Sequence, residues 1–391
     1  MKRNSKSVEL LSRTLSYILV AAMASGATLF LWGNGRGQSK LEQLEKLIEK
    51  CFIGQSDKTA MEDAAAAGMV EALGDKWSYY IPASDYEAYM EQMNNAYVGI
   101  GVTVDTVGGE QGYAVLQVEP TGGAKQAGVQ VGDILTHVDG QRMLDIGMTA
   151  AREMIRGKEG TAVKLSLLRD GVAMELEVIR QTIQVEVARG ELLENNIGLV
   201  TIANFDERCA QETLEAIEQL RQQGATALIF DVRFNPGGYK KEMVQILDYL
   251  LPEGDLFRSV YYTGQETVDT SDADCLKMPM AVLINQDSYS AAEFFAAALD
   301  EYDWAVLVGE NTMGKGYFQN TFRLNDGSAV GLSVGKYFTP NGVSLAEVGG
   351  LKPEIEVQVD ETTAAKIYAG QLAPEEDPQI IAAIEALQKA S

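Results

Sequence analysis

An α/β core preceded by a separate strand-rich module, an N-terminal helical region and an N-terminal membrane anchor is the fold class this sequence predicts. Three observations carry that reading. Apolar strand-like runs alternate with helical patterns from about Val185 onward, short strands broken by glycine turns fill residues 97–182, and an uncharged, mostly apolar stretch runs from Thr14 to Gly35. With 391 residues, 46% of them apolar, the chain has material for two or three globular units.

Lys2, Arg3, Lys6 and Arg13 precede the apolar stretch, which predicts a cytoplasmic start and an exported, membrane-anchored remainder. Residues 1–36 carry a net +4 and the rest of the chain −28. A cleaved signal peptide is the rival reading, with small residues around Ala24 to Ala27 as the cleavage site; Leu29 to Trp32 prolongs the apolar run past it and favours a retained anchor. The overall charge of −24 leaves no basic footprint for nucleic acid, and none is expected as a partner. An acidic exported part favours basic partners, although salt screens that field within about 8 Å. Three widely spaced cysteines, Cys51, Cys209 and Cys275, form neither a disulfide framework nor a zinc pattern; buried free thiols are the default reading. With a single histidine, no metal and no cofactor are expected.

After a glycine-rich linker at 33–37, Leu41, Leu44, Leu47, Ile48 and Cys51 recur at helical spacing, with Gly54 as the stop. A second helix is expected over about 60–73, and a third from Ser84, where Glu87 completes a capping-box pattern. This region reads as a brace for the fold rather than a catalytic part, with self-association into a homo-oligomer as its alternative use. From Tyr97 the strands are 98–102, 113–118 and 132–140; His137 falls in the last and reads as a packing residue. Further on, strands are expected at 197–202, 227–232, 280–284 and 305–308, with helices at about 210–222, 239–251 and 291–299. Asn325-Asp326-Gly327 marks a hairpin, and 378–389 a short amphipathic helix.

The chemistry begins with what is missing. A Ser-His-Asp hydrolase needs an imidazole, and His137 lies in the strand-rich module. Ser290 sits where an apolar strand gives way to a helix, a place that exposes a hydroxyl and points unbonded amides at a developing oxyanion. Taken alone, Ser288 and Ser290 suit helix caps. Lys315, between Gly314 and Gly316, suits a solvated turn when taken alone. As a general base it would need burial to bring its pKa from about 10.4 toward about 7 to 8. Gln319, four residues on, would share a side with it and hold the amine by a hydrogen bond. A phosphate-binding loop fits less well, because Gly-x-x-x-x-Gly-Lys-Ser/Thr is absent. A third segment, 231–238 with Asn235-Pro236-Gly237-Gly238, also joins a strand to a helix, either as a plain turn or as half of an oxyanion hole.

In order, the chain carries Leu73-Gly74-Asp75-Lys76-Trp77-Ser78-Tyr79-Tyr80, the Gly-Asp and Asp-Gly turns around 132–140, Arg233-x-Asn235-Pro236-Gly237-Gly238, the Ser290 segment, Thr312-Met313-Gly314-Lys315-Gly316 with Gln319, and 337–342. From about residue 37 to the end this set resembles the C-terminal processing peptidases, or tail-specific proteases. The resemblance implies a crotonase-like α/β protease core with an inserted PDZ domain. After the anchor at 1–36, it divides the chain into a helical region at 37–96, the PDZ domain at 97–182 and the serine protease core at 183–391. It also implies Ser290 as nucleophile, Lys315 as general base, Gln319 as the orienting residue, and the amides of Ala291 and Gly237 or Gly238 as oxyanion donors. Gly99, Ile100 and Gly101 become the loop that holds a peptide carboxylate, and protein substrates with accessible C-terminal tails become the partners. The PDZ domain is further implied to gate the site. Tyr289 and Met313 depart from the residues common at those places in the family, as does Lys76-Trp77. The expected function is an extracytoplasmic serine endopeptidase; the alternative is a catalytically silent PDZ scaffold that binds exported tails.

Overall fold

A computed structural model describes residues 39–105, 109 and 111–390, in two compact units that divide between Met69 and Val70. The expected anchor at 1–36 lies outside the described residues. Among those described, no helix is long and apolar enough to cross a membrane.

The first unit holds helices α1 (Lys40–Cys51) and α2 (Lys58–Glu71), the latter running just past the division. Helix α1 opens on a capping box: Ser39 Oγ accepts from the Glu42 amide, and the Glu42 carboxylate accepts from the Ser39 amide. It ends at Phe52 in extended backbone, before the expected Gly54 stop. Leu41, Leu44, Leu47 and Cys51 are exposed, which corrects the reading of Cys51 as a buried thiol.

In the second unit, strand β1 (Tyr79–Ile81) and helix α3 (Tyr86–Met93) come first. The capping box expected at Ser84 does not form. Asp85 occupies the N-cap position, and Ser84 Oγ donates to the Asp85 carboxylate instead of accepting from a helix amide. Strand β2 (Ala96–Gly99) pairs antiparallel with β9 (Gln181–Gln184), so the two ends of the strand-rich module are zipped together. Between them lie β3 (Val102–Asp105), β4 (Tyr113–Val118), α4 (Gly123–Ala127), β5 (Ile134–Val138), β6 (Gln141–Arg142), α5 (Met143–Ile155), β7 (Ala162–Arg169) and β8 (Val172–Ile179). The sheet order is β3-β4-β5-β7-β8, with β3 at an edge. Ile100, Val115, Leu135, Met143 and Leu165 fill its core. Buried Asp133 takes both guanidinium arms of Arg169 at 2.7 and 2.8 Å, so the Gly132-Asp133 turn is tied to a distant strand.

The α/β core follows: β10 (Ala188–Leu192), β11 (Ile197–Ile202), α6 (Cys209–Gln222), β12 (Ala227–Asp231), α7 (Lys240–Leu250), β13 (Gly254–Tyr261), β14 (Glu266–Ser271), β15 (Met280–Ile284), α8 (Ala291–Glu301), β16 (Ala305–Gly309), β17 (Tyr317–Arg323), β18 (Ala329–Phe338), α9 (Leu345–Val348), β19 (Ile355–Glu356), α10 (Glu361–Tyr368) and α11 (Pro378–Ala390). The main sheet runs β10-β11-β12-β15-β16-β19, parallel from β11 onward. Strand side chains alternate, and both faces are covered. Val200, Ile202, Leu228, Phe230, Val282 and Ile284 share one core with residues of α6, α7 and α8. On the opposite face Leu199, Ile229, Ala281 and Leu283 pack with Ile380, Ala383 and Leu387 of α11.

A second, antiparallel sheet was not expected beyond its hairpin. It runs β1-β18-β13-β14 with β17 on β18, and Phe257 of β13 packs on Phe294 of α8. The Asn325-Asp326-Gly327 turn joins β17 to β18 as expected, with Gly327 at φ 97°.

Candidate active site

Three neighbouring parallel strands, β12, β15 and β16, deliver three loops at their C-terminal ends, where open α/β sheets commonly form sites. The loop after β12 carries Gly237 and Gly238, that after β15 carries Ser290, and that after β16 carries Lys315.

The serine turn is specified by its own polar side chains. Buried Ser288 donates to Val232 O at 2.7 Å and accepts from the Asn285 amide at 3.0 Å, so this serine is a structural tie. Ser290 stands at the head of α8 with φ 59° and ψ −126°, a backbone conformation costly for any residue bearing a Cβ. Bonds from the Phe234 amide to Asn285 Oδ1 (2.9 Å) and from the Tyr289 amide to Asn235 O (3.1 Å) stitch this turn to the glycine loop. Glycine is required there. A Cβ on Gly237, at φ 89°, would come within 2.7 Å of Ser290 Cβ, and one on Gly238 within 2.3 Å of Phe205 O. Of the three candidate oxyanion amides, that of Gly237 is already donated to Asn235 Oδ1 at 2.8 Å, which corrects its reading as an open donor. The Gly238 and Ala291 amides carry no such bond among the described residues.

The Lys315 side chain is largely withdrawn from water. Burial pushes its pKa down to about 8, against the opposing pull of Glu293 and Asp75. Its amine lies 4.7 Å from the centre of the Trp77 ring and 5.7 Å from that of Tyr289, and no hydrogen bond joins it to Ser290. Gln319 does not hold the amine either, contrary to the sequence reading. A bulge between Phe318 and Gln319 re-aims the side chain, whose amide nitrogen donates to Ser333 Oγ at 3.1 Å and Tyr317 O at 3.3 Å.

Residues 196–357, which hold all three loops, match the sequence model of peptidase family S41, and residues 115–169 match that of a PDZ domain. The carboxy-terminal processing protease CtpA of Bacillus subtilis is 33% identical over 88% of this chain and 76% of its own length. The chain belongs to peptidase family S41. A probable CtpA-like serine protease of Staphylococcus haemolyticus is 28% identical over 81% of the chain and 64% of its own length. A solved structure assigned to the S41 proteases, from Bacteroides fragilis, shares the fold with a TM-score of 0.53 at 17% identity, covering 87% of this chain and 93% of that one. This S41 peptidase is therefore a serine-type enzyme with a PDZ domain.

In the strand-rich module, Gly99, Ile100 and Gly101 line a cavity of 180 Å³ between the β3 edge and α5. Met143, Met148, Arg152 and Arg156 line it too, an apolar slot with two cations suited to a chain end and its carboxylate.

Glu293 of this S41 peptidase is a residue whose part the sequence reading missed. Wholly buried on α8, its carboxylate accepts from the Ser290 amide (3.0 Å), the Thr312 hydroxyl (2.5 Å), the Gly314 amide (2.7 Å) and the Lys315 amide (2.8 Å). Burial raises its pKa, and those four bonds pull it back toward the ionised form. One carboxylate thus joins the serine turn to the lysine loop. The signal was present in the sequence as Ser290-x-x-Glu293, a capping-box spacing. The Asp75–Trp77 stretch was also missed: read as part of a brace, it lies against Lys315.

Proposed function

We propose that this S41 peptidase is a membrane-anchored, extracytoplasmic endopeptidase that captures the C-terminal tails of protein substrates in its PDZ groove and cleaves them through Ser290 and Lys315. The observation that carries the reading is the withdrawn Lys315 amine, with a pKa of about 8, on a loop clamped to the serine turn by Glu293. A lysine so placed is neutral for an appreciable fraction of the time near neutral pH, as a general base must be.

In the proposed reaction Ser290 Oγ attacks the scissile carbonyl carbon while the Lys315 amine takes its proton. The tetrahedral oxyanion is met by the Ala291 and Gly238 amides. Collapse breaks the C–N bond, and the Lys315 ammonium returns its proton to the leaving amine. Water then attacks the acyl-enzyme with the same lysine as base, releasing the new carboxyl end and restoring Ser290. The step requires Lys315 to move onto Ser290 Oγ and Gln319 to move onto Lys315, contacts that commonly tighten only with substrate bound.

The anchored, exported placement is supported by the basic residues ahead of the apolar stretch at 14–35, and the acidic remainder agrees with it. The domain division at 1–36, 37–96, 97–182 and 183–391 is supported by the β2–β9 pairing, and the crotonase-like description of the core by its strand and helix alternation. Exposed Leu41, Leu44 and Leu47 on α1 support self-association, which light scattering of the full chain tests.

The deciding experiment is cleavage of an unfolded protein by the full chain beside Ser290→Ala and Lys315→Ala. Both variants are expected to lose activity by about a thousandfold or more. Cleavage that survives Ser290→Ala puts the nucleophile elsewhere, and retained tail binding without turnover in the unmodified chain favours the scaffold reading.

A further inference from the structure

We propose that Trp77 is a positioning residue of the catalytic base: its indole, with the Tyr289 ring, walls the Lys315 amine into a half-buried aromatic slot beside the serine turn. The inference rests on the assignment of Lys315 as base and adds a residue from a part of the chain far from the three loops.

Two independent sets of contacts lead to it. The Lys315 amine faces both rings, at 4.7 and 5.7 Å from their centres, and the rings lie 6.2 Å apart at 33°. Such faces attract a cation while excluding the water that would solvate it. The second set fixes the bend that carries the indole. The Asp75 carboxylate accepts from the Trp77 amide at 3.1 Å and from Ser78 Oγ at 2.6 Å. Ser78 Oγ in turn accepts from the Ser333 amide at 3.1 Å, and Ser333 Oγ accepts from Gln319 Nε2 at 3.1 Å. One short bend therefore touches the base directly and reaches its expected orienting residue through a single serine.

The charged and titratable groups around the amine are Glu293 from α8, Asp75 from the bend, the Tyr289 phenol from the serine turn, and Lys76, whose ammonium lies 4.5 Å from the centre of the same indole. The two carboxylates favour the charged amine, and burial outweighs them. The two rings pack against each other.

The test is the pH dependence of kcat/KM for cleavage of an unfolded protein by the full chain, with Trp77→Phe and Trp77→Gln. Activity rises with pH as the base loses its proton. In Trp77→Gln, water reaches the amine and the rising limb is expected to move up by about one unit or more, costing about tenfold in rate at pH 7 per unit. Trp77→Phe, which keeps a ring face, should hold the limb in place. A Trp77→Gln variant that loses rate equally at every pH would overturn the proposal. So that a poorly folding variant does not leave the question open, tryptophan fluorescence of the unmodified chain is titrated. It should change with the midpoint of the rate limb and lose that transition in Lys315→Met; a transition unaltered in Lys315→Met also overturns it. Should Lys315→Ala keep full activity, the Ser290 and Lys315 assignment fails. Should Lys315→Ala be inactive while Trp77→Gln keeps the unmodified limb, Trp77 alone is wrongly assigned.

Discussion

The serine turn, residues 285–293, and the lysine arm, residues 312–319, share an anchor but are held in opposite ways. In the turn the buried polar side chains are bonded: Ser288, Asn285 and Glu293 each carry two or more partners, and the backbone at Ser290 is forced into a costly conformation. In the arm, the backbone amides of Gly314 and Lys315 are pinned by Glu293, whereas the Lys315 amine faces the Trp77 and Tyr289 rings and Gln319 is turned toward Ser333. The contrast teaches that the fold uses its polar bonds to place two loops and leaves the reactive ends of the arm adjustable. Two ionisable groups in one site illustrate it: Glu293 is buried with four donors, and Lys315 is withdrawn from water with no hydrogen-bonded acceptor among the described residues.

Removing each group in turn should therefore move stability in opposite directions. Glu293→Ala strands four donors at once, one buried and three part-buried, and is expected to cost about 4 kcal/mol in urea unfolding, with cleavage abolished. A loss below about 1 kcal/mol would show that the loops do not depend on the clasp. Lys315→Met should do the reverse at pH 7, adding about 1–2 kcal/mol to stability while abolishing cleavage, after allowance for the partial exposure of the amine. The sign follows from linkage: the folded pKa of about 8 lies below the unfolded value of about 10.4, so the folded state binds fewer protons between them. The penalty is full below pH 8 and fades as pH rises toward 10.4, so the gain of the Met variant should shrink in unfolding curves taken at pH 10. The smallest effect on cleavage is expected from Thr312→Val, which removes one donor to Glu293 and the acceptor of the Leu351 amide: a reduced but measurable rate, with a stability cost of about 2 kcal/mol.

Much of this was legible in advance where local chemistry leaves one answer. The parallel strands are runs of apolar residues buried on both faces, so β11, β12, β15 and β16 were readable within a residue or two. The antiparallel sheet was not, because β13, β14, β17 and β18 are largely half-exposed and mix polar residues or glycines among the apolar ones, and only the Asn325-Asp326-Gly327 turn announced them. The capping-box spacing shows the same limit. Ser84 and Glu87 have it without the bond, Ser39 and Glu42 make the bond unexpectedly, and Ser290 with Glu293 turns it to a purpose beyond the helix.

The sequence by itself determined which residue types were available for the chemistry: a single histidine outside the core, a serine at a strand-to-helix junction and a lysine between glycines, in an order that marks the family. Tertiary structure alone decided how they meet. That Glu293 bonds residues from two loops, that Gly237 donates its amide to Asn235, that Gln319 turns to Ser333, and that Trp77 faces Lys315 are contacts the local pattern does not announce. Periodicity and turn chemistry report on neighbours within a few residues. The partner of a buried polar group is set by which strands lie side by side, and hence by the burial of the whole sheet.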